Sequence, residues 1–301
     1  MASLRIATRS SPLALWQARH VAGLMHPKLV EFIHVDTHGD RDQASALSTM
    51  GGFGVFTKAI QQALLDGEAD IAVHSLKDLP TIPTPGVVLA AVPERGPTGD
   101  ALVSQKWERF DRLPRGATVG TSSLRRRAML ANRRPDLKLV DLRGNVETRL
   151  RKLDEQNLDA IVLAEAGLVR LGLDHEIREI LDPVWMLPAV GQGAIGIECR
   201  EDDRATLAAV ELISDYSTLQ RVTAERAMLA TLGGGCLVPI GATSSCLDGV
   251  LTLRGIVLSP DGIRKVSATH RGPADAPLAL GQELAAMLLA EGAGDLLEID
   301  S

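Results

Sequence analysis

From Leu4 to Arg200 the chain alternates short apolar runs with segments whose apolar residues recur at helical spacing. Strands and helices laid down in turn predict α/β architecture built on parallel sheets. "LRIA" (4–7) reads as a strand and "SPLALWQARHVAGLM" as a helix, with Ser11 as its cap and Pro12 at its first position. "EFIHV" and "DIAVHS" (70–75) are further strands, separated by the helical "FTKAIQQALLDG", which Gly67 closes. "KDLPTIPTPG" reads as a loop and "PERGPTGD" (93–100) as a linker.

Beyond the linker the order repeats. "ATVGTSSLRRRAMLANRR" runs strand, Thr-Ser-Ser, helix; "KLVDL" is a strand, "NVETRLRKLDEQ" a helix and "DAIVLA" a strand. Set side by side, "RIATRSSPLA" and "TVGTSSLRRRA" suggest two similar lobes. Each offers a Ser-rich helix N-terminus, where free N–H groups and the helix dipole attract anions, so two such ends facing one another predict an anion-binding cleft. After "GQGAIGIECRED" come two helices, "DRATLAAVELI" and "STLQRVTAERAMLATL". The alternating "GVLTLRGIVLSPDGIRKVSATHRG" predicts an antiparallel meander and "APLALGQELAAMLLAEGA" a closing helix, together a third, smaller α+β domain.

Charge sharpens this picture. The 301-residue chain carries a net −6, yet Ser122–Lys152 holds ten Lys/Arg against three acids. A basic island on an acidic protein predicts a localised anionic partner. Aromatics make up 3% of residues, too few for the base-stacking platforms of single-strand nucleic-acid binders. A small polycarboxylate suits the arginines better, because a guanidinium grips a carboxylate through two parallel hydrogen bonds. No run is apolar enough for a membrane span or signal peptide, and three widely spaced cysteines make no disulfide framework. The expectation is a cytoplasmic protein.

Chemistry concentrates in few places. Lys77 and Asp78 follow the strand "DIAVHS" at its carboxyl end, where open α/β sheets place ligands. A carboxylate there can shuttle a proton or stabilise a developing cation, and it can equally be a turn residue before Pro80. Cys236 stands in "LATLGGGCLVPIG" (229–241), where a run of glycines displays rather than packs a side chain. His74 is a possible base for it, though nothing local joins the two. Cys199 and Cys246 read as small hydrophobes. His34, Asp36 and His38 alternate along a strand with no Cys/His cluster behind them, so no metal site is assigned.

Seven segments in order, "LRIATRSSPLALWQA", "ADIAVHSLKDLP", "VGTSSLRRRA", "LRGNVETRL", "LPAVGQGAIGIECR", "AERAML" and "GGGCLVPIGA", resemble the porphobilinogen deaminase (hydroxymethylbilane synthase) family over essentially the whole chain. The resemblance implies a transferase of tetrapyrrole biosynthesis. It joins four porphobilinogen molecules head to tail, releasing ammonia, on a dipyrromethane cofactor held as a thioether by Cys236. It implies that Asp78 is catalytic, handling the pyrrole N–H and the proton lost on deamination and stabilising cationic intermediates. Lys77, Thr121, Ser122, Ser123, Arg125 and Arg126 would hold the cofactor, and Arg9, Ser11, Arg143, Arg149 and Arg170 the substrate and growing polypyrrole chain. The implied fold is two lobes resembling type II periplasmic binding proteins plus a small α+β C-terminal domain. Its divisions are 1–93 with 194–213, 99–193, and 216–301, with a hinge where the chain crosses. The implied protein is a monomer without metal, nucleic acid or membrane among its partners. Phe53 stands where many members have lysine, and Gly233 where many have glutamate. The alternative reading is a two-lobed anion-binding protein without catalysis.

Overall fold

A computed structural model of the chain describes residues 3–35, 57–234 and 238–297. The chain divides into two compact units, Met1–Gly96 with Gly193–Leu219, and Pro97–Gln192 with Gln220–Ser301.

In the first unit, β1 (Leu4–Thr8), β2 (Val30–His34), β3 (Ile71–Ser75), β4 (Val87–Ala91) and β10 (Ile195–Arg200) form a sheet of order β2-β1-β3-β10-β4. β1 runs parallel to β2 and β3, and β10 runs antiparallel to β3 and β4. Alternation along the strands separates two buried faces. Ile6, Ile71 and Val73 pack with Ala18 and Val21 of the helix Pro12–Leu24. Ala7 and Ala72 pack with Ile60 and Leu64 of the helix Lys58–Leu65.

The second unit repeats that plan. β5 (Asp100–Val103), β6 (Thr118–Gly120), β7 (Lys138–Val140), β8 (Ala160–Ala164) and β9 (Ile177–Ile180) are ordered β7-β6-β8-β5-β9. β6 is parallel to β7 and β8, and β5 is antiparallel to β8 and β9. Each sheet therefore holds one strand that departs from the all-parallel expectation. The reason is the route of the chain. β5 enters straight from the linker and β10 arrives after the whole second sheet, so neither follows the crossover helix that parallel pairing requires.

The C-terminal meander has three strands, β11 (Ile240–Leu247), β12 (Val250–Leu258) and β13 (Lys265–Pro273), in sequential antiparallel order. β11 is the strand that the expected meander lacked, and it pairs with β12 across a tight turn at Asp248 and Gly249. The helices Tyr216–Thr231 and Pro277–Ala290 contribute Ala224, Met228, Leu280, Leu284 and Leu288 to the core over this sheet. They touch at Gly281, where an added Cβ would meet the Ala224 carbonyl oxygen and lie 2.7 Å from Ala227 Cβ. Backbone atoms cannot retreat as a flexible side-chain end can. Gly281→Val is therefore expected to destabilise by about 1–3 kcal/mol, read as a lowered urea midpoint with unchanged slope. A midpoint equal to wild type would mean that the helices part without cost.

Candidate active site

Within each unit, most of the described residues singled out from the sequence lie just beyond the carboxyl ends of that unit's parallel strands. In the first sheet, β1 ends at Thr8, and Arg9 and Ser11 follow before the helix Pro12–Leu24, whose Ala14 N–H donates to Ser11 Oγ at 3.4 Å. The adjacent β3 ends at Ser75 and passes into a 3₁₀ turn, Leu76–Asp78, where a plain loop was expected. Leu76 is buried and its N–H donates to Ala194 O at 3.0 Å. Gln17 Nε2 donates to Ser75 Oγ at 2.8 Å, pinning the strand end to the first helix. The turn thus holds Lys77 half-buried and Asp78 exposed on an anchored base.

His74 is not displayed for catalysis. It is buried beside Glu198, with Nε2 3.0 Å from Glu198 Oε2 but off the line of a hydrogen bond. Gln61 Nε2 donates to the same carboxylate at 2.9 and 3.1 Å, and Thr84 Oγ1 donates to Gln61 Oε1 at 3.0 Å. This polar chain lies on the sheet face covered by the helix Lys58–Leu65.

In the second sheet three junctions stand together, after β6, β7 and β8. Thr121, Ser122 and Ser123 bridge β6 to the helix Leu124–Arg133. Ser123 Oγ accepts from Arg126 N at 3.4 Å, Thr121 Oγ1 accepts from Ser123 N at 3.3 Å, and Ser122 Oγ accepts from Leu142 N at 2.9 Å. That last bond ties the first junction to the second. There Asn145 caps the helix Val146–Glu155, Arg149 Nε donates to Gly144 O at 2.8 Å, and Lys152 Nζ donates to Arg143 O at 3.1 Å. Arg170 closes the short helix after β8, half-buried. Burial pushes its pKa down to about 10, which leaves it charged at neutral pH.

Arg125 and Arg126 lie in the first turn of their helix but point inward, 4% and 5% exposed. Both meet Asp100, the first residue of β5, which has no exposed surface. Arg125 Nη1 donates to Asp100 Oδ2 at 2.7 Å and to Leu187 O at 2.5 Å. Arg126 donates to Asp100 Oδ1 through Nε (2.9 Å) and Nη2 (2.7 Å), and through Nη1 to Val162 O at 3.0 Å. Burial would raise the Asp100 pKa, but the two guanidinium charges and the hydrogen bonds from Arg125 and Gln192 outweigh it and hold the carboxyl far below the usual range. Burial likewise lowers Arg126. Nothing in the sequence marks Asp100, which closes the linker segment "PERGPTGD".

Two guanidiniums against one carboxylate leave the cluster one positive charge in excess. Arg125 also keeps Nε buried without a hydrogen-bond partner, and among the described residues nothing accepts from its Nη2. An unpaired buried donor costs about 1–3 kcal/mol. The Nε–Nη2 edge is the fork that receives a carboxylate bidentately, so the donor set fits a group bearing acetate and propionate side chains.

Cys236 and Phe53 lie outside the described residues. The approach to the cysteine is defined up to Gly234. Gly233 has φ 67°, and its N–H donates to Ala230 O at 3.0 Å. It is the left-handed residue that ends the helix Tyr216–Thr231, a conformation that glycine adopts freely and that a residue with a side chain, such as glutamate, disfavours. Cys199 is fully buried and its thiol is pushed up to about 11 by burial; Cys246 is half-buried on β11. Among the described residues no group of His, Cys, Asp or Glu could hold a metal ion, and no helix is long and apolar enough to cross a membrane.

Comparison with known proteins follows the same lines. Three solved structures are similar over most of the chain. The Bordetella pertussis BvgS VFT2 domain is 17% identical, covering 70% of this chain and 86% of that one, with TM-score 0.41. A periplasmic substrate-binding protein of an ABC transporter from Coxiella burnetii is 15% identical, with coverage of 74% and 96% and TM-score 0.44. A nutrient binding protein from Burkholderia cenocepacia bound to methionine is 14% identical, with coverage of 70% and 91% and TM-score 0.41. Likenesses at this level bear on neither ligand nor activity. Residues 4–208 match the family described as porphobilinogen deaminase, dipyromethane cofactor binding domain, and residues 219–290 match porphobilinogen deaminase, C-terminal domain. With both matches in order along nearly its whole length, the chain belongs to the porphobilinogen deaminase family.

Proposed function

We propose that this chain is a hydroxymethylbilane synthase, joining four porphobilinogen molecules head to tail with loss of ammonia at each addition. The observation that carries the site assignment is the buried cluster of Asp100, Arg125 and Arg126, with its excess positive charge and its unpartnered Arg125 edge. Every pyrrole unit of substrate and product brings two carboxylates to meet such an edge.

The dipyrromethane cofactor, held as a thioether by Cys236, supplies the primer to which substrate is joined. The chain's own residues bind and orient around it. Lys77, Thr121, Ser122, Ser123, Arg125 and Arg126 hold the cofactor's acidic side chains. Arg9, Ser11, Arg143, Arg149 and Arg170 receive those of incoming substrate and the lengthening product. Asp78 accepts from the pyrrole N–H and stabilises positive charge as ammonia departs, which an exposed carboxylate on an anchored turn is suited to do. The three-domain division at 1–93 with 194–213, 99–193 and 216–301, a monomeric state and a cytoplasmic location complete the proposal.

Three measurements test these roles. The intact mass of the denatured protein should exceed that of its sequence by two porphobilinogen units less their ammonia, and Cys236→Ser should show the bare mass. Two bare masses that stay bare after incubation with porphobilinogen would remove the enzyme assignment and favour a binding protein. Asp78→Asn should retain the cofactor mass while kcat falls about 10²- to 10⁴-fold; near-normal turnover would take Asp78 out of the chemistry. Arg125→Leu leaves Asp100 paired one-to-one with Arg126, so it should fold and yet emerge largely without the added mass. Full loading of that variant would assign Arg125 to structure alone.

A further inference from the structure

Asp100 does more than neutralise charge. Its Oδ2 takes one hydrogen of Arg125 Nη1, and the Leu187 carbonyl takes the other. With both Nη1 hydrogens committed, the guanidinium plane cannot rotate, and the Nε–Nη2 edge faces one direction. Oδ1 meanwhile takes Arg126 Nε and Nη2 and, at 3.1 Å, Gln192 Nε2. Gln192 is itself buried, and the same nitrogen donates to Thr98 O at 2.7 Å and Gly99 O at 3.1 Å. The carboxylate is therefore held from several sides. Strand pairing adds a further restraint, since Asp100 stands opposite Ala164, the last residue of β8, at the edge where the site residues gather.

We infer that Asp100 and Gln192 are positioning residues for the carboxylate site: Gln192 fixes Asp100, and Asp100 fixes the direction in which Arg125 presents its open edge to a pyrrole carboxylate. The inference rests on the carboxylate-binding role proposed above for Arg125. It assigns no contact with ligand to either Asp100 or Gln192. A point charge at the same place would attract a carboxylate but would not fix its plane, so orientation is the property these two residues supply.

The test uses full-length protein as purified and four variants. Gln192→Met keeps size and charge while removing the amide donor. Asp100→Glu keeps the charge while displacing it by one methylene. Arg125→Lys keeps the charge without the fork, and the fourth variant combines Asp100→Glu with Arg125→Lys. Two quantities are read: the fraction carrying the cofactor, by intact mass, and KM against kcat for porphobilinogen in the loaded fraction. Loss of one charge-assisted hydrogen bond of the pair should lower the loaded fraction about 10-fold in each single variant, with KM and kcat of the fraction that does load changed much less. Asp100→Glu should add little in the Arg125→Lys background, because the edge it aims is already gone.

Wild-type KM and loading in a folded Gln192→Met protein, with Arg125→Lys impaired, would overturn the positioning role while leaving Arg125 as a ligand. Full additivity in the double variant would also overturn it, since a purely structural carboxylate acts independently of the fork. If Arg125→Lys is itself normal in loading and KM, the failure lies in the underlying carboxylate-binding reading. Should Asp100→Glu not fold, Gln192→Met decides alone, because it changes neither charge nor volume appreciably.

Discussion

A carboxylate with no exposed surface persists as an anion only where its charge and its lone pairs are both met. Asp100 satisfies that condition with two guanidiniums and an amide, drawn from segments far apart in the chain. It opens β5, its arginine partners lie in the first turn of the helix Leu124–Arg133, and Gln192 comes from the segment that leads back to β10. Arg126 extends the cluster to the Val162 carbonyl in β8 and Arg125 extends it to the Leu187 carbonyl. Asp100 alone meets all of these partners, so β5, the helix and the returning segment are held to one arrangement by one side chain. Hydrophobic burial stabilises this unit in bulk; the cluster fixes where its polar edge stands.

The two five-stranded sheets show how one plan serves different ends. Each places its junctions after adjacent parallel strands, β1 and β3 in the first sheet and β6, β7 and β8 in the second, and each includes one antiparallel strand. Junctions of this kind leave helix N–H groups unpaired, and serines fill the gap in both sheets, Ser11 in one and Ser123 in the other. The antiparallel strand is where they diverge. Opposite the last residue of β8 stands Asp100, whereas opposite the last residue of β3 stands Ile195. The second sheet thus buries a charge cluster at its carboxyl edge, and the first sheet buries its own acid, Glu198, deeper, beside His74 and Gln61.

What was legible in the sequence was what depends on neighbours along the chain. Ser11 before Pro12, Asn145 ahead of "VETRL" and the apolar alternation of β1 and β3 carry their reasons within a few residues. β5 and β9 are not visible there, because a short strand's place depends on partners dozens of residues away and "DALV" or "IREI" has no period long enough to declare itself. Site residues divide in the same way. Arg9, Lys77, Asp78 and Arg143 follow strand ends, a position that local pattern reveals. Asp100 depends on arginines 25 and 26 positions away and on a glutamine 92 positions away, and nothing adjacent to it announces a buried ion. The direction of Arg125 and Arg126 was hidden for the same reason. Their number signalled an anion, but only their partners reveal that one edge remains open.

That difference between the sheets bears on the function proposed for this chain, which has to bind a polyanion and act on it. Converging cations bind carboxylates well, but the same field lowers the proton affinity of any acid among them and resists the growth of positive charge that deamination requires. Asp78 stands exposed on the first sheet's edge, on a turn fixed through Leu76 and Ser75 rather than through arginine pairs of the kind that bury Asp100. Asp78 is therefore no part of a buried cluster, which suits the role proposed for it beside a developing cation. The excess positive charge, in contrast, is buried in the second unit, where Asp100 both reduces it and aims it. In the function proposed here grip and chemistry call for opposite electrostatics, and the residue opposite the last position of β3 or β8, Ile195 in one sheet and Asp100 in the other, is where the two sheets differ in buried charge.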